Sequence, residues 1–235
     1  MKDQMIYAEK LSKMIQCETI SVPDVPNTDK FDKFHTLLEE LFPLVFSKGE
    51  VHYIDSSILI KWCGKGKAEP ILLMSHQDVV PAEGEWKYPP FSGEIKEDRV
   101  WGRGTVDTKG SLMCILQSIE ELMEEGYTPE GDVYIASSST EEVAGSGAPK
   151  TVEWLKEHNV RLQFLMDEGG MIVDEPMAGV KGRYAMIGTM EKGTGNIKVI
   201  ARSTGGHASA PEKNTPIARL SAFINDIETK NPNKL

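Results

Sequence analysis

Acidic residues and one histidine gather in four short segments of the sequence, at residues 75–78, 102–107, 141–142 and 167–170. Their candidate functional side chains are His76, Asp78, Asp107, Glu141, Glu142, Asp167 and Glu168. If folding brings one imidazole and several carboxylates together with few cations nearby, the carboxylates repel one another. A pair of divalent metal ions relieves that repulsion and accepts mixed nitrogen and oxygen ligands. The four segments together therefore predict a two-metal site.

Each segment alone also has a purely structural interpretation. The first fits an ordinary loop, the glycine-rich second fits a tight turn, the paired glutamates fit a solvated face, and the last fits a strand that ends in a turn. The functional interpretation rests on the order of the four segments, because each stands at a suitable strand or helix end.

Three of the segments come shortly after stretches that are typical of strands in a parallel sheet. Ile71–Met74, a continuous apolar run, leads to the first segment, Asp132–Ser137 leads to the third, and Val160–Met166 leads to the fourth. Asp107 instead begins a predicted helix after the glycine-rich turn. Open α/β sheets bind their ligands beyond the carboxyl ends of parallel strands, so we expect the segments to meet there.

Helical periodicity separates these strands. The predicted helices cover Phe31–Phe42, Leu112–Met123 and Ala148–His158, and two further short strands cover Val51–Ile54 and Ser57–Trp62. This alternation predicts an α/β fold with a mostly parallel sheet that is flanked by helices.

The pattern changes in the last quarter of the chain. A short strand is predicted at Tyr184–Ile187, a half-solvated strand at 197–201, and a helix that begins at Thr215 and Pro216. We therefore predict a metal-binding catalytic domain over 1–185 and a partial second domain over 186–235. One or two strands and one helix cannot bury a core alone, so the second domain is expected to be incomplete.

The composition excludes several classes of protein. The 235 residues carry a formal net charge of −10, which argues against sequence-independent nucleic-acid binding. Cys17, Cys63 and Cys114 are odd in number and have no metal-ligand spacing, which favours free thiols in a reducing compartment. Residues 1–10 lack the apolar region of a signal peptide, and no uncharged apolar run approaches the ~18 residues of a membrane span. A cytoplasmic protein without nucleic-acid or membrane partners is expected.

Five motifs resemble those of the M20 metallopeptidase family. They are Ser75–Pro81, Trp101–Gly110, Glu141–Val143, Asp167–Gly170 and Gly205–Pro211. The Asp-Glu-Gly-Gly form of the fourth motif is most similar to the carboxypeptidase S and aminoacylase-like branch, which includes N-acyl-amino-acid hydrolases. The resemblance implies a zinc-exopeptidase-like α/β fold, followed by the start of an α+β lid or dimerisation domain. It also implies hydrolysis of an amide bond in a small peptide or an N-acyl amino acid.

The resemblance assigns metal ligands residue by residue. His76 and Asp167 would bind one zinc ion, Glu142 would bind the other, and Asp107 would bridge the two. Glu168 is the alternative to Asp167, because some branches use the neighbouring acid. The implied cofactors are two divalent ions, with Zn²⁺ first and Co²⁺ or Mn²⁺ as alternatives.

The same resemblance assigns catalytic and supporting roles. Glu141 would be the general base, and Asp78 would hold the tautomer of His76 through a hydrogen bond. His207 would reach a substrate oxyanion, in dimeric relatives from the other subunit, so a homodimer through the lid is expected for the full-length protein. The peptide bond after Asp107 would be cis.

Two departures from the family pattern are Thr140 and Thr108, where many relatives carry aspartate, although neither position supplies a ligand. A larger departure is that the last zinc-binding histidine and the residues for the substrate carboxylate lie far toward the C-terminus in relatives. The sequence is therefore interpreted as an N-terminal portion with little activity alone.

Two other functions compete with this interpretation. A truncated remnant or binding module could retain the fold without catalysis, in which case it would hold no zinc or one ion loosely. A phosphoesterase would also use two metals, but it would need a richer set of histidines, and it leaves Gly205–Pro211 unexplained.

Overall fold

The computed structural model describes residues 4–23, 28–190, 193, 195–207, 209–210 and 213–230. The chain divides into two compact units, Met1–Ala185 and Met186–Leu235.

The first unit contains five helices within its described residues. They are α1 (Gln4–Ile15), α2 (Thr28–Leu41), α3 (Pro43–Lys48), α4 (Lys109–Glu124) and α5 (Gly147–Glu157). Helix α4 buries Leu112, Ile115, Leu116 and Ile119 on one side, which is the three- and four-residue spacing expected of an amphipathic helix. Gly126 follows this helix with a φ of 77°, a conformation that suits glycine at a helix end.

Five strands of this unit form one mixed sheet. They are β1 (Glu50–Ile54), β2 (Ser57–Trp62), β3 (Ile71–His76), β6 (Val133–Ser138) and β7 (Phe164–Met166). The order across the sheet is β1-β2-β6-β3-β7. Strand β3 is parallel to both β6 and β7, whereas β2 is antiparallel to β1 and β6. All strands except β2 therefore run in the same direction.

The remaining strands form two small sheets. Strands β4 (Glu94–Lys96) and β5 (Arg99–Trp101) pair as an antiparallel hairpin, and β8 (Met171–Asp174) pairs with β9 (Arg183–Met186).

The central sheet is covered on both faces. Val133 and Ile135 of β6 pack into a large apolar cluster with residues of α1, α2, α3 and α4. Tyr134 and Ala136 of the same strand pack into a second cluster with Leu155 of α5. Because successive side chains of a strand point to opposite faces, burial on both sides explains why these strands are continuously apolar in sequence.

The structure confirms the predicted α/β class and most of the predicted elements. Sequence periodicity assigned no element to α1 or to the hairpin of β4 and β5. The strand predicted at Val160–Met166 forms only at its end, as β7.

The second unit contains α6 (Pro216–Lys230), which follows Thr215 as predicted. The Thr215 hydroxyl accepts a hydrogen bond from the Ala218 amide at 3.3 Å, which is a helix-capping contact. The strand predicted at 197–201 is wrong, because these residues have no strand partner within the described part of the unit. Ala208 and Pro211 of the predicted Gly205–Pro211 motif lie outside the described residues.

Across the described ranges, none of the helices combines the length and apolar character that crossing a membrane requires.

Candidate metal centre

The carboxyl edge of the central sheet brings the predicted acidic segments together. His76 is the last residue of β3 and pairs in register with Ser138, the last residue of β6. Glu141 and Glu142 follow β6 in a short turn, and Asp167 follows β7 directly. Parallel strands end at the same edge, so the sheet topology alone accounts for this convergence.

Asp107 reaches the same edge from a different element. It lies immediately before α4, and the peptide bond between Asp107 and Thr108 is cis, as the resemblance implied. One oxygen of its carboxylate, Oδ1, lies 2.9 Å from Nε2 of His76.

Two sets of side chains present ligand atoms at metal-binding separations. In the first, one atom each of His76, Asp107 and Glu142 lie within 4.8 Å of one another. In the second, the same holds for His76, Glu141 and Glu168. The two sets share the imidazole, whose Nε2 is 3.4 Å from Oε2 of Glu168 and 3.8 Å from Oε2 of Glu141.

Asp167 belongs to neither set among the described residues. Its Oδ1 accepts a hydrogen bond from the Glu168 amide at 2.8 Å, and its side chain is exposed. Adjacent residues of extended chain point to opposite sides, so only one of these two carboxylates faces His76. Among the described residues, Glu168, the alternative to Asp167, is thus the acid whose carboxylate lies near His76.

Asp78 lies beneath these carboxylates and is fully buried. Its Oδ1 accepts the Glu141 amide at 3.1 Å, and its Oδ2 accepts the Glu142 amide at 3.1 Å and the Ser21 hydroxyl at 2.7 Å. The ring nitrogen Nδ1 of His76 contacts the backbone oxygen of Asp78 at 2.9 Å. Asp78 thus contacts the glutamate turn and Ser21 through its side chain, and its backbone oxygen is the nearest acceptor for His76.

Lys109 is a site residue that the sequence analysis missed. Its ammonium group is fully buried and donates hydrogen bonds to the backbone oxygens of Met14, at 3.1 Å, and Cys17, at 2.6 Å. It also lies 4.8 Å from the centre of the Phe34 ring. Burial lowers the pKa of Lys109 to about 8. These contacts fix the start of α4 against α1 and the residues that follow α1. They thereby also fix Asp107, which lies two positions before Lys109.

The contacts made by Gln77, the residue after His76, were likewise not indicated by the sequence. Nε2 of the buried His35 contacts the amide oxygen of Gln77 at 3.0 Å, and the amide nitrogen of Gln77 donates to the backbone oxygen of Ser56 at 2.6 Å. Burial lowers the pKa of His35, although the Gln77 contact opposes that change.

The electrostatics of the site indicate an excess of negative charge. Burial of His76 favours its neutral form, but contacts with Asp78 and the nearby charge of Glu168 outweigh burial and raise the pKa of the imidazole to about 10. Burial and then the charge of Asp107 raise the pKa of Glu142, and burial raises that of Glu168. A divalent cation would neutralise this charge, and one imidazole nitrogen with several carboxylate oxygens is a suitable donor set for it.

His207 belongs to the second unit, where its exposed imidazole contacts the Ser209 hydroxyl through Nδ1 at 2.8 Å. Its role at the substrate stays a prediction.

Comparison with known proteins agrees with the sequence motifs. Residues 72–229 match the family described as peptidase family M20/M25/M40. A probable carboxypeptidase S-like protein of Dictyostelium discoideum is 34% identical over 96% of this chain and 46% of its own length. A human N-fatty-acyl-amino acid synthase/hydrolase is 35% identical over 97% of this chain and 46% of its own length. The chain thus spans about half the length of these curated relatives.

Solved structures show the same fold. An M20 family metallo-carboxypeptidase from Sulfolobus solfataricus superposes with a TM-score of 0.59 at 21% identity, over 73% of this chain and 40% of that one. Human carnosine dipeptidase 1 superposes with a TM-score of 0.57 at 17% identity, over 70% of this chain and 38% of that one. The chain belongs to peptidase family M20/M25/M40.

Proposed function

We propose that this chain supplies four ligands of a two-metal centre that hydrolyses amide bonds in small peptides or N-acyl amino acids. The observation that carries the proposal is the convergence of His76, Asp107, Glu142 and Glu168 at one sheet edge. Family membership and the carboxypeptidase and acyl-amino-acid hydrolase names of the relatives support this reaction class.

The proposed ligands divide between two ions. Asp107 would be the ligand that the two ions share, Glu142 would bind one ion, and His76 with Glu168 would bind the other. We choose Glu168 over Asp167 because its carboxylate faces Nε2 of His76 at 3.4 Å. When bound, two divalent ions, Zn²⁺ first and Co²⁺ or Mn²⁺ as alternatives, supply Lewis acidity to the substrate carbonyl and to the attacking water.

Glu141 is the proposed general base. Its carboxylate is half-exposed at the edge of the site, while its backbone amide is held by Asp78. It takes a proton from water as the water oxygen bonds to the amide carbon, and it then passes that proton to the leaving nitrogen as the C–N bond breaks. Transfer of this kind typically contributes a factor of about 10² to 10⁴.

Residues 186–235 are proposed to begin the lid or dimerisation domain of the full-length protein. His207 would then donate a hydrogen bond to the oxyanion that forms at the carbonyl, a type of contact with a large effect on rate. In this proposal the full-length protein forms a homodimer through that domain.

Zinc titration of the purified, metal-free chain tests the proposal. We expect Glu168→Gln to weaken zinc binding by about 100-fold or more, since even the partners of ligands are worth about 10- to 100-fold in metal affinity. Asp167→Asn is the matched control, because the asparagine side chain keeps an oxygen that can accept the Glu168 amide. The zinc affinity of this variant should stay within about twofold of wild type.

Absence of zinc binding by the wild-type chain would remove the proposed function. The reverse result, in which Asp167→Asn weakens binding and Glu168→Gln does not, would return the ligand role to Asp167.

A further inference from the structure

The carboxylate of Asp78 is used mainly by the turn that carries the two glutamates. Its two oxygens accept the consecutive backbone amides of Glu141 and Glu142, each at 3.1 Å. Hydrogen bonds to an ionised acceptor are stronger than neutral ones, and a buried carboxylate without donors would be costly. The pairing therefore fixes the main chain of this turn to the end of β3.

The imidazole of His76 has a nearer partner than this carboxylate. Its Nδ1 lies 2.9 Å from the backbone oxygen of Asp78, whereas Oδ1 of the Asp78 side chain is 3.5 Å away. A backbone carbonyl only accepts, so Nδ1 is the donor, and Nε2 faces the carboxylates of the site. The backbone oxygen of Asp78 is thus the nearer acceptor for the ring, and Oδ1 of its side chain is a second, longer contact.

We propose that Asp78, besides its contacts with the ring of His76, is a positioning residue for the Glu141–Glu142 turn. The proposal rests on the proposed function, in which these glutamates are the general base and a metal ligand. A single buried carboxylate would then set the distance between the base and the ligand of the centre.

The Glu141–Glu142 turn needs a contact of this kind, because its own hydrogen bonds do not hold it to β3. Its internal hydrogen bonds run from Ala144 to Glu141 and from Gly145 to Thr140, each at 2.8 Å, and they close the turn without joining it to β3. The side chain of Glu141 is 51% exposed, so packing does not orient it. Its direction must follow from the backbone, which Asp78 holds.

Ser21 completes the arrangement by orienting the carboxylate. Its hydroxyl donates to Oδ2 of Asp78 at 2.7 Å, and its own amide donates to the Val79 oxygen at 3.2 Å. The Val79 amide in turn donates to the Thr19 oxygen at 3.0 Å. Residues 19–21 therefore run beside 77–79, and Ser21 is a second positioning residue that acts through Asp78.

Amide hydrogen exchange in the metal-free chain, measured by NMR, tests the proposal. We expect Asp78→Asn to speed exchange at Glu141 or Glu142 by about tenfold, because an asparagine side chain can accept only one of the two amides on its oxygen.

A second variant covers the case in which Asp78→Asn does not fold. Ser21→Ala should speed exchange at the same two amides by about fivefold, the value of one modest hydrogen bond. Ser12→Ala is its matched control, because this buried hydroxyl donates to the Gly93 oxygen at 2.6 Å and has no role at the turn, so the two amides should exchange as in wild type.

Unchanged exchange at both glutamate amides in a folded Asp78→Asn or Ser21→Ala chain would overturn the proposal. Loss of the His76 ring proton with unchanged glutamate amides would do the same, because the carboxylate would then act on His76 alone. These outcomes are separate from the proposed function, because they are measured without metal. Zinc binding by wild type tests that function, and Asp78→Asn should weaken it by about 10- to 100-fold.

Discussion

The candidate centre has two parts that differ sharply in exposure. His76, Asp78 and Lys109, which we call the buried floor, have exposed fractions of 2%, 0% and 0%. Asp107 and Glu141, the acidic rim, have side chains that are 68% and 51% exposed. Each floor residue has fixed hydrogen-bond partners within the fold, whereas the rim carboxylates lie open to water and to ligands. We therefore expect substitutions of Lys109 in the floor to affect stability first, and substitutions of Glu141 in the rim to affect catalysis first.

The sharpest test of this division is a rim substitution that spares the fold. We expect Glu141→Gln in the full-length protein to lower kcat by about 10²- to 10⁴-fold, because the amide cannot accept the proton of water. The free energy of unfolding and the number of bound metal ions should stay as in wild type. Steady-state kinetics, urea unfolding and metal analysis measure the three quantities. Near-normal turnover would remove Glu141 from the base role.

The corresponding floor substitution should affect stability directly. Lys109→Met keeps the length and apolar stem of the side chain but removes the charged donor from the backbone oxygens of Met14 and Cys17, which keep only a backbone amide each. We expect a loss of about 2–4 kcal/mol in the free energy of unfolding, measured in urea. Lys65→Met, at an exposed lysine that pairs with Glu130, is the control and should change stability by less than about 0.5 kcal/mol. Equal effects of the two substitutions would contradict the comparison.

A smaller effect on stability is expected at His35, a buried histidine that contacts Gln77 next to His76. The pKa of His35 in the folded chain lies below its ordinary value of 6.5, so the unfolded chain binds a proton first as the pH falls. Stability that is fully present above pH 6.5 is therefore lost below it, through the lower folded-state pKa. Between pH 7.5 and 5.5 this loss is at most about 1.4 kcal/mol, since one pH unit below the ordinary pKa corresponds to that energy.

Urea unfolding of wild type and His35→Gln at both pH values isolates this contribution. The variant should lose less stability than wild type on acidification, because glutamine has no proton to gain. His158→Gln, which changes an exposed histidine, is the matched control. If His35→Gln and wild type lose the same stability, His35 does not contribute to the pH dependence.

The sheet edge could be predicted from sequence because its signals are local. The apolar run Ile71–Met74 and the stretch Asp132–Ser137 each end beside acidic or histidine residues, and parallel pairing brings such ends together. The helix that begins near Asp107 could also be predicted, because its apolar residues repeat at helical spacing. These features need no knowledge of distant contacts.

Other features depend on contacts that the sequence does not display. Asp167 and Glu168 are chemically similar neighbours, and only the twist and end of β7 decide which of them faces His76. The stretch 197–201 has the alternation of a strand, but a strand also requires a partner. Lys109 precedes Leu112 by three positions and therefore shares the apolar face of α4, which is the one signal that could have indicated its burial.

The pairing of β3 with β6 also constrains chain length. His76 stands opposite Ser138 and Ser75 opposite Ser137 in one unbroken register. Since side chains alternate along a strand, one inserted or deleted residue after Ile71 would turn the imidazole to the opposite face of the sheet. The composition of this segment is therefore less constrained than its length, because an odd change in length would move the imidazole away from the carboxylates.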